Sequence, residues 1–156
     1  MVKLAELFLA SRGAPIPWAG EEVQMMYEMP EVSAGAAIGV EFIHANSERP
    51  QALRMKCRGG TLRVLGQSLD DIVLWADKSP TIVEAVAEPK DKRKPLSIRI
   101  WNAWKDDAGV MHAWVGNSGL IVKGESGTQV VLRCSDGFDE PNFKDLVARV
   151  AVTPTT

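Results

Sequence analysis

Residues 51–66, QALRMKCRGGTLRVLG, decide the fold class. Leu53, Met55 and Cys57 alternate with Arg54 and Lys56, and a period of two places each set on its own face of a β-strand. Gly59-Gly60 then reads as a hairpin turn leading into a second strand. The same signal repeats on both sides. IGVEFIHA (38–45) precedes it, and DDIVLWA (70–76), PTIVEAVAE (80–88), LSIRIWNAW (96–104), VMHAWVG (110–116), GLIVKG (119–124), TQVVLRC (128–134) and DLVARVAV (145–152) follow. DKSP, KDKRKP, KDDAG and GESG punctuate them with the residues that favour turns. About nine or ten short strands at a spacing of about 8–12 residues predict an all-β chain, an antiparallel β-sandwich of jelly-roll-like type, with a barrel as the alternative.

Upstream, residues 2–11 carry Leu4, Leu7 and Phe8 at helical spacing and predict a short helix, which Gly13, Pro15 and Pro17 end. GEEVQMMYEMP (20–30) is ambiguous between strand and turn, and SAGAAIG (33–39) is a flexible lead-in. The expected organisation is an N-terminal helix and arm over 1–37, a β-sandwich domain over 38–152 and a frayed tail over 153–156.

The 156 residues suit one domain, with 46% apolar and 24% charged residues, as in ordinary globular proteins. A formal net charge of −2 argues against a nucleic-acid partner. No apolar run approaches the roughly 18 residues that a membrane-spanning helix needs. Glu6 interrupts the short N-terminal apolar run, so the segment reads as an amphipathic helix rather than a signal peptide, and a cytoplasmic location is expected. In that compartment Cys57 and Cys134 are expected as buried free thiols. Two Cys and two His without a CxxC form no zinc site of ordinary spacing.

CSDGFDEPNFKDLV (134–147) crowds acids ahead of the last strand. Asp136, Asp139, Glu140, Asn142 and Asp145 offer hard oxygen ligands, and a calcium ion is the cofactor that such a set would hold. The competing reading is turn chemistry, in which Asp and Asn bond their own backbone, Gly137 tolerates positive φ and Pro141 fixes φ. Asp139, Asn142, Phe143, Asp145, Leu146 and Val147 resemble the acidic D-x-D-F-N-D-L-V-type segment that opens the last strand of certain bacterial β-sandwich modules. The likeness covers about ten residues, and some of those modules are calcium-associated surface proteins. It therefore implies a bacterial binding module of this fold with a calcium-stabilised loop. Here Asn142 and Lys144 stand where the pattern has acidic or amide residues.

Trp101, Asn102, His112, Trp114 and Asn117 form the other candidate site. Trp101 and Trp114 flank the KDDAG turn, and an exposed indole beside amides stacks on a sugar ring or anchors a protein contact. The alternative is aromatic pairing across strands, worth about 0.2–1 kcal/mol. Trp104 shares a face with Ile98 and Ile100 and is expected in the core. The cations of 90–94 form a basic loop, which the acidic loop of a second copy would answer.

Catalytic signals are sparse. G-x-S-x-G and phosphate-cradling glycine motifs are absent from the sequence, and neither Asp70-Asp71 nor Asp106-Asp107 suggests a cleft. The expected function is a non-enzymatic binding or interaction module, with a protein partner or self-association favoured over a glycan. The alternative is a small hydrolase-like enzyme that joins His44 or His112 to a carboxylate or to Cys134.

Overall fold

A computed structural model describes residues 2–154, so residues 155 and 156 of the expected tail lie outside the described residues. The described residues run through one helix, α1 (Leu4–Ala10), and fourteen strands. These are β1 (Ile16–Trp18), β2 (Glu21–Val23), β3 (Tyr27–Val32), β4 (Ala37–Ala45), β5 (Gln51–Arg58), β6 (Gly60–Val64) and β7 (Gln67–Leu69). They continue with β8 (Asp71–Trp75), β9 (Ile82–Pro89), β10 (Leu96–Lys105), β11 (Met111–His112), β12 (Gly119–Ser126), β13 (Gln129–Ser135) and β14 (Leu146–Thr153). A seven-stranded sheet has the order β12-β13-β14-β4-β9-β6-β7, and a five-stranded sheet has β11-β10-β5-β8 with β3 also on β10. Every pairing is antiparallel. The two sheets pack as an all-β sandwich with a short N-terminal helix, as the alternation predicts.

The alternation of 51–66 survives in detail. Leu53 and Met55 are fully buried, whereas Lys56 and Arg58 are exposed. The connection at Gly59-Gly60 differs from a hairpin, because β5 and β6 belong to opposite sheets. Gly59 has φ +90°, and a Cβ on Gly60 would stand 2.4 Å from the Glu88 carbonyl oxygen. The pair thus marks a tight crossing between layers, where strand β6 pulls away to join β9. From β4 to β6, and again from β7 to β10, the chain passes back and forth between the sheets. True hairpins close at KDDAG, between β10 and β11, and at GESG, between β12 and β13.

The core between the sheets includes Ile38, Val40, Leu53, Met55, Leu62, Ile98, Ile100, Leu132 and Val150. Burying each such side chain contributes roughly 1.5–3 kcal/mol. The N-terminal segment is joined to this body at two places. Met29, Val32 and Ala36 enter the main core, with β3 laid against β10. Leu4, Phe8, Ile16 and Val23 instead form a second cluster with Ile121 and Phe143. Gly119 gives them room, since a Cβ there would lie 2.7 Å from Val23 and 3.4 Å from Leu4.

Candidate functional site

The acidic stretch and the tryptophan hairpin meet through Asn117 and the Gly116–Gly137 contact, and two of the stretch's four carboxylates are already engaged within the protein. Asp136 is fully buried and accepts from Arg49 Nε at 2.8 Å, Gln51 Nε2 at 3.0 Å and its own turn at Phe138 N at 3.0 Å. Asp145, 2% exposed, accepts from Asn46 Nδ2 at 2.8 Å, Asn142 Nδ2 at 3.2 Å and Asp136 N at 2.9 Å. Ser135 Oγ accepts from the Asn142 and Phe143 amides, which ties the far side of the loop. Asp139 and Glu140 point outward and are exposed. The five residues expected as calcium ligands therefore do not converge, and among the described residues no three His, Cys, Asp or Glu side chains gather in a way that would hold a metal ion. The geometry is turn chemistry: carboxylates bury where backbone and side-chain donors satisfy them.

Two glycines clamp this loop onto the hairpin. Gly116 has φ +61°, and a Cβ there would sit 2.4 Å from the Gly137 carbonyl oxygen. A Cβ on Gly137 would sit 2.5 Å from the Trp104 ring. Asn117 completes the junction: its Oδ1 accepts from Leu4 N at 3.1 Å, and its Nδ2 donates to the Asp139 carbonyl at 2.6 Å. Expected as a ligand contact, Asn117 is instead a brace joining α1, the hairpin and the acidic loop. Asn102 is likewise withdrawn from the expected surface. It alternates with Trp101 and faces inward, 2% exposed, donating to the Ser135 carbonyl at 2.8 Å.

The aromatic residues divide in the same way. Trp104 is buried, as its shared face with Ile98 and Ile100 requires. Trp101, expected at the surface, is 5% exposed because Trp114 lies over it with ring centroids 4.7 Å apart, and Arg54 stands 5.5 Å from its ring. Trp114 adopts φ +60° and remains 39% exposed, held by its Nε1 donating to the Met25 carbonyl at 3.0 Å. His112 stacks on Trp104 and contacts Asp106 Oδ2 through Nε2 at 2.7 Å. That contact, with the Val110 and Ala108 amides, holds the Asp106 carboxyl below its ordinary pKa.

These residues surround an open hollow of about 170 Å³, lined by Trp104, His112, Val115, Gly116, Gly137 and Phe138. Of its lining residues Val115 and Phe138 stand exposed, and Val110, Met111 and Trp114 are exposed on the same hairpin and the loop that follows it, Val110 being 52% and Val115 48% accessible. Phe138 is steadied by Arg49, whose guanidinium carbon lies 4.4 Å from the ring centroid. Arg49 thus neutralises Asp136 beneath and supports an exposed aromatic ring above. Sequence reasoning missed Val115, Phe138 and Arg49. An aromatic residue inside the otherwise polar turn SDGFDEP was the available signal, since neither turn chemistry nor strand alternation calls for it.

The remaining chemistry-bearing side chains lie apart. Burial and Asp70 push the Cys57 thiol up to about 11, and burial raises Cys134 further. Both are free and buried. A thiol reagent at pH 8 is expected to label both cysteines at least about a hundredfold more slowly in native protein than in denaturant, since the thiolate is the reactive form. Equal rates would overturn the placement of both side chains. His44 is exposed on β4, opposite Val147 of β14. No helix among the described residues is long and apolar enough to cross a membrane.

No protein-family model, curated protein or solved structure matches this chain.

Proposed function

We propose that this protein is a non-enzymatic binding module whose contact surface is the apolar shoulder of Met111, Trp114, Val115 and Phe138 around the Trp104–His112 hollow, and that its partner is a protein. The observation that carries this reading is concentration: five large exposed apolar side chains fall within residues 110–115 and 138. Clustered exposed apolar side chains mark interaction sites, and a partly exposed Trp over a packed base is the usual form of a binding hot spot. The base here is the Trp101 ring under Trp114, the close approach of Gly116 to Gly137, and the Asp136–Arg49 pair that carries Phe138. The amides that would read sugar hydroxyls, Asn102 and Asn117, are engaged internally, which favours a protein over a glycan. Of the six residues lining the hollow His112 alone is titratable, and none carries a hydroxyl or thiol, which favours binding over catalysis.

A photo-crosslinking amino acid in place of Val115, irradiated in the producing cell, is expected to give a discrete adduct. The same group in place of Ile82, exposed on β9, is expected to give none. Trp114→Ala should weaken the contact by about 2 kcal/mol or more, roughly thirtyfold, and abolish the adduct while leaving the fold intact. A dimer-sized adduct would identify the partner as a second copy. Adducts of equal yield at both positions, or none at Val115, would sink the proposal.

A further inference from the structure

The outer face of the five-stranded sheet carries a second concentration of side chains, this time cationic and only partly matched by acids. Arg54, Lys56 and Arg58 alternate outward along β5, and in the register with β10 Lys56 lies opposite Arg99 and Arg58 opposite Ser97. Like charges directly opposite each other on one face of a sheet destabilise it. Arg54 is relieved by a two-pronged contact with Asp71, at 2.9 and 2.7 Å. Arg99 has only a distant carboxylate, Glu28, at 3.8 Å. Among the described residues Lys56 and Arg58 form no ion pair, and neither they nor the Ser97 hydroxyl forms a side-chain hydrogen bond within the protein. Lys56, Arg58, Ser97 and Arg99, with Cys57, line a hollow of about 270 Å³ that contains no carboxylate.

We propose that this hollow is an oxyanion-binding site that takes a diphosphate group, free or borne on a small organic molecule. Three facing cations match a compact ligand of charge about −2 to −3. Alternate residues on a strand are about 6.6 Å apart and facing ones about 5 Å, so Lys56 and Arg99 converge on one phosphoryl group while Arg58 and Ser97 meet the next. Guanidinium forks pair with phosphate oxygens through two parallel N–H donors, and the Ser97 hydroxyl adds a neutral donor. Acids on the neighbouring strands include Glu28 and Glu31 of β3, with Asp70 just before β8 and Asp71 in it. Asp71 is engaged with Arg54 and also stands opposite Lys56 in the register with β8, Asp70 contributes its backbone carbonyl to Cys57 N at 2.7 Å, and Glu28 lies opposite Arg99 on β3. None of these acids lines the hollow, whose charged lining residues are all cations. The site lies on the outer face of this sheet and does not depend on the apolar shoulder.

The test uses the full chain, titrated with inorganic pyrophosphate and separately with adenosine diphosphate at constant ionic strength, with calorimetry giving the dissociation constant. At about ten times that constant a rise in melting temperature of about 3–6 °C is expected. The double variant Lys56→Gln with Arg58→Gln should weaken binding at least tenfold, whereas Lys92→Gln with Lys94→Gln, in the neighbouring basic loop, should change it by less than twofold. Saturable binding of pyrophosphate alone would show that the bare group suffices, and binding of the nucleotide alone would show that the organic part is also held. Either supports the site. No saturable response to either probe, a response that survives in Lys56→Gln/Arg58→Gln, or binding only of a glutamate-rich peptide would overturn it.

Discussion

Asp136→Ala is expected to destabilise the protein by about 3–5 kcal/mol, the largest effect of any single substitution in the acidic loop. The carboxylate is fully buried and receives three donors, and Arg49 is its cationic partner, with a side chain only 13% exposed. Removing the acid leaves the half-buried guanidinium with only the exposed Glu48 carboxylate at 3.5 Å and the Gln51 amide with only the Arg49 carbonyl at 3.4 Å, long contacts that do not replace the lost acceptor. At this chain length the loss lowers the melting temperature by about 10 °C. Arg49→Ala should act similarly, and the double variant should lose less than the sum, since the two residues share one interaction. The same drop in EDTA and in millimolar calcium would place the role of Asp136 within the protein. A drop that appears only with calcium present would restore the loop as a cation site. Asp139→Ala, on the exposed rim, is expected to stay within about 0.5 kcal/mol of the parent.

Trp101→Ala is expected to cost a comparable 3–5 kcal/mol, measured by chemical denaturation. Trp101 fills the space between β10 and Trp114, and β10 is paired on both sides near it, so the site has little freedom to collapse. A companion substitution separates the ring from its nitrogen. The Trp101 Nε1 donor is buried and has no hydrogen-bond partner. An unmet buried donor costs about 1–3 kcal/mol. Trp101→Phe removes that penalty along with part of the ring, and the two changes offset to within about 1 kcal/mol. If Trp101→Ala were as stable as the parent, the ring would be a surface feature after all. If Trp101→Phe were as damaging as Trp101→Ala, the orphan donor would have to be satisfied in solution.

Period-two alternation makes the sandwich legible in the sequence. It assigns the inward and outward sets of β5 and the core position of Trp104, because one face of each strand must leave water. It carries no information on which layer a strand joins, so Gly59-Gly60 read as a hairpin although it is a crossing. Alternation also misplaced Trp101. Its parity with Arg99 is correct, but burial there comes from Trp114, a residue outside the sheet whose left-handed backbone brings it over the strand. Crowded acids were readable as an anomaly, and their resolution was not, because Arg49, Gln51 and Asn46 lie about 90 residues away in sequence. The apolar shoulder escaped notice for a related reason: its members are ordinary loop residues singly and become a surface only when Gly116 and Gly137 press two loops together.

Strand β14 lies between β4 and β13 in the larger sheet. During synthesis β4 therefore leaves the ribosome about 100 residues before the strand that completes one of its edges. Until residues 146–153 emerge, β4 offers a half-empty ladder of amide and carbonyl groups, and Val40 lacks its cross-strand neighbour Val150. A chain stalled or truncated before residue 146 is therefore expected to aggregate more readily than the finished fold.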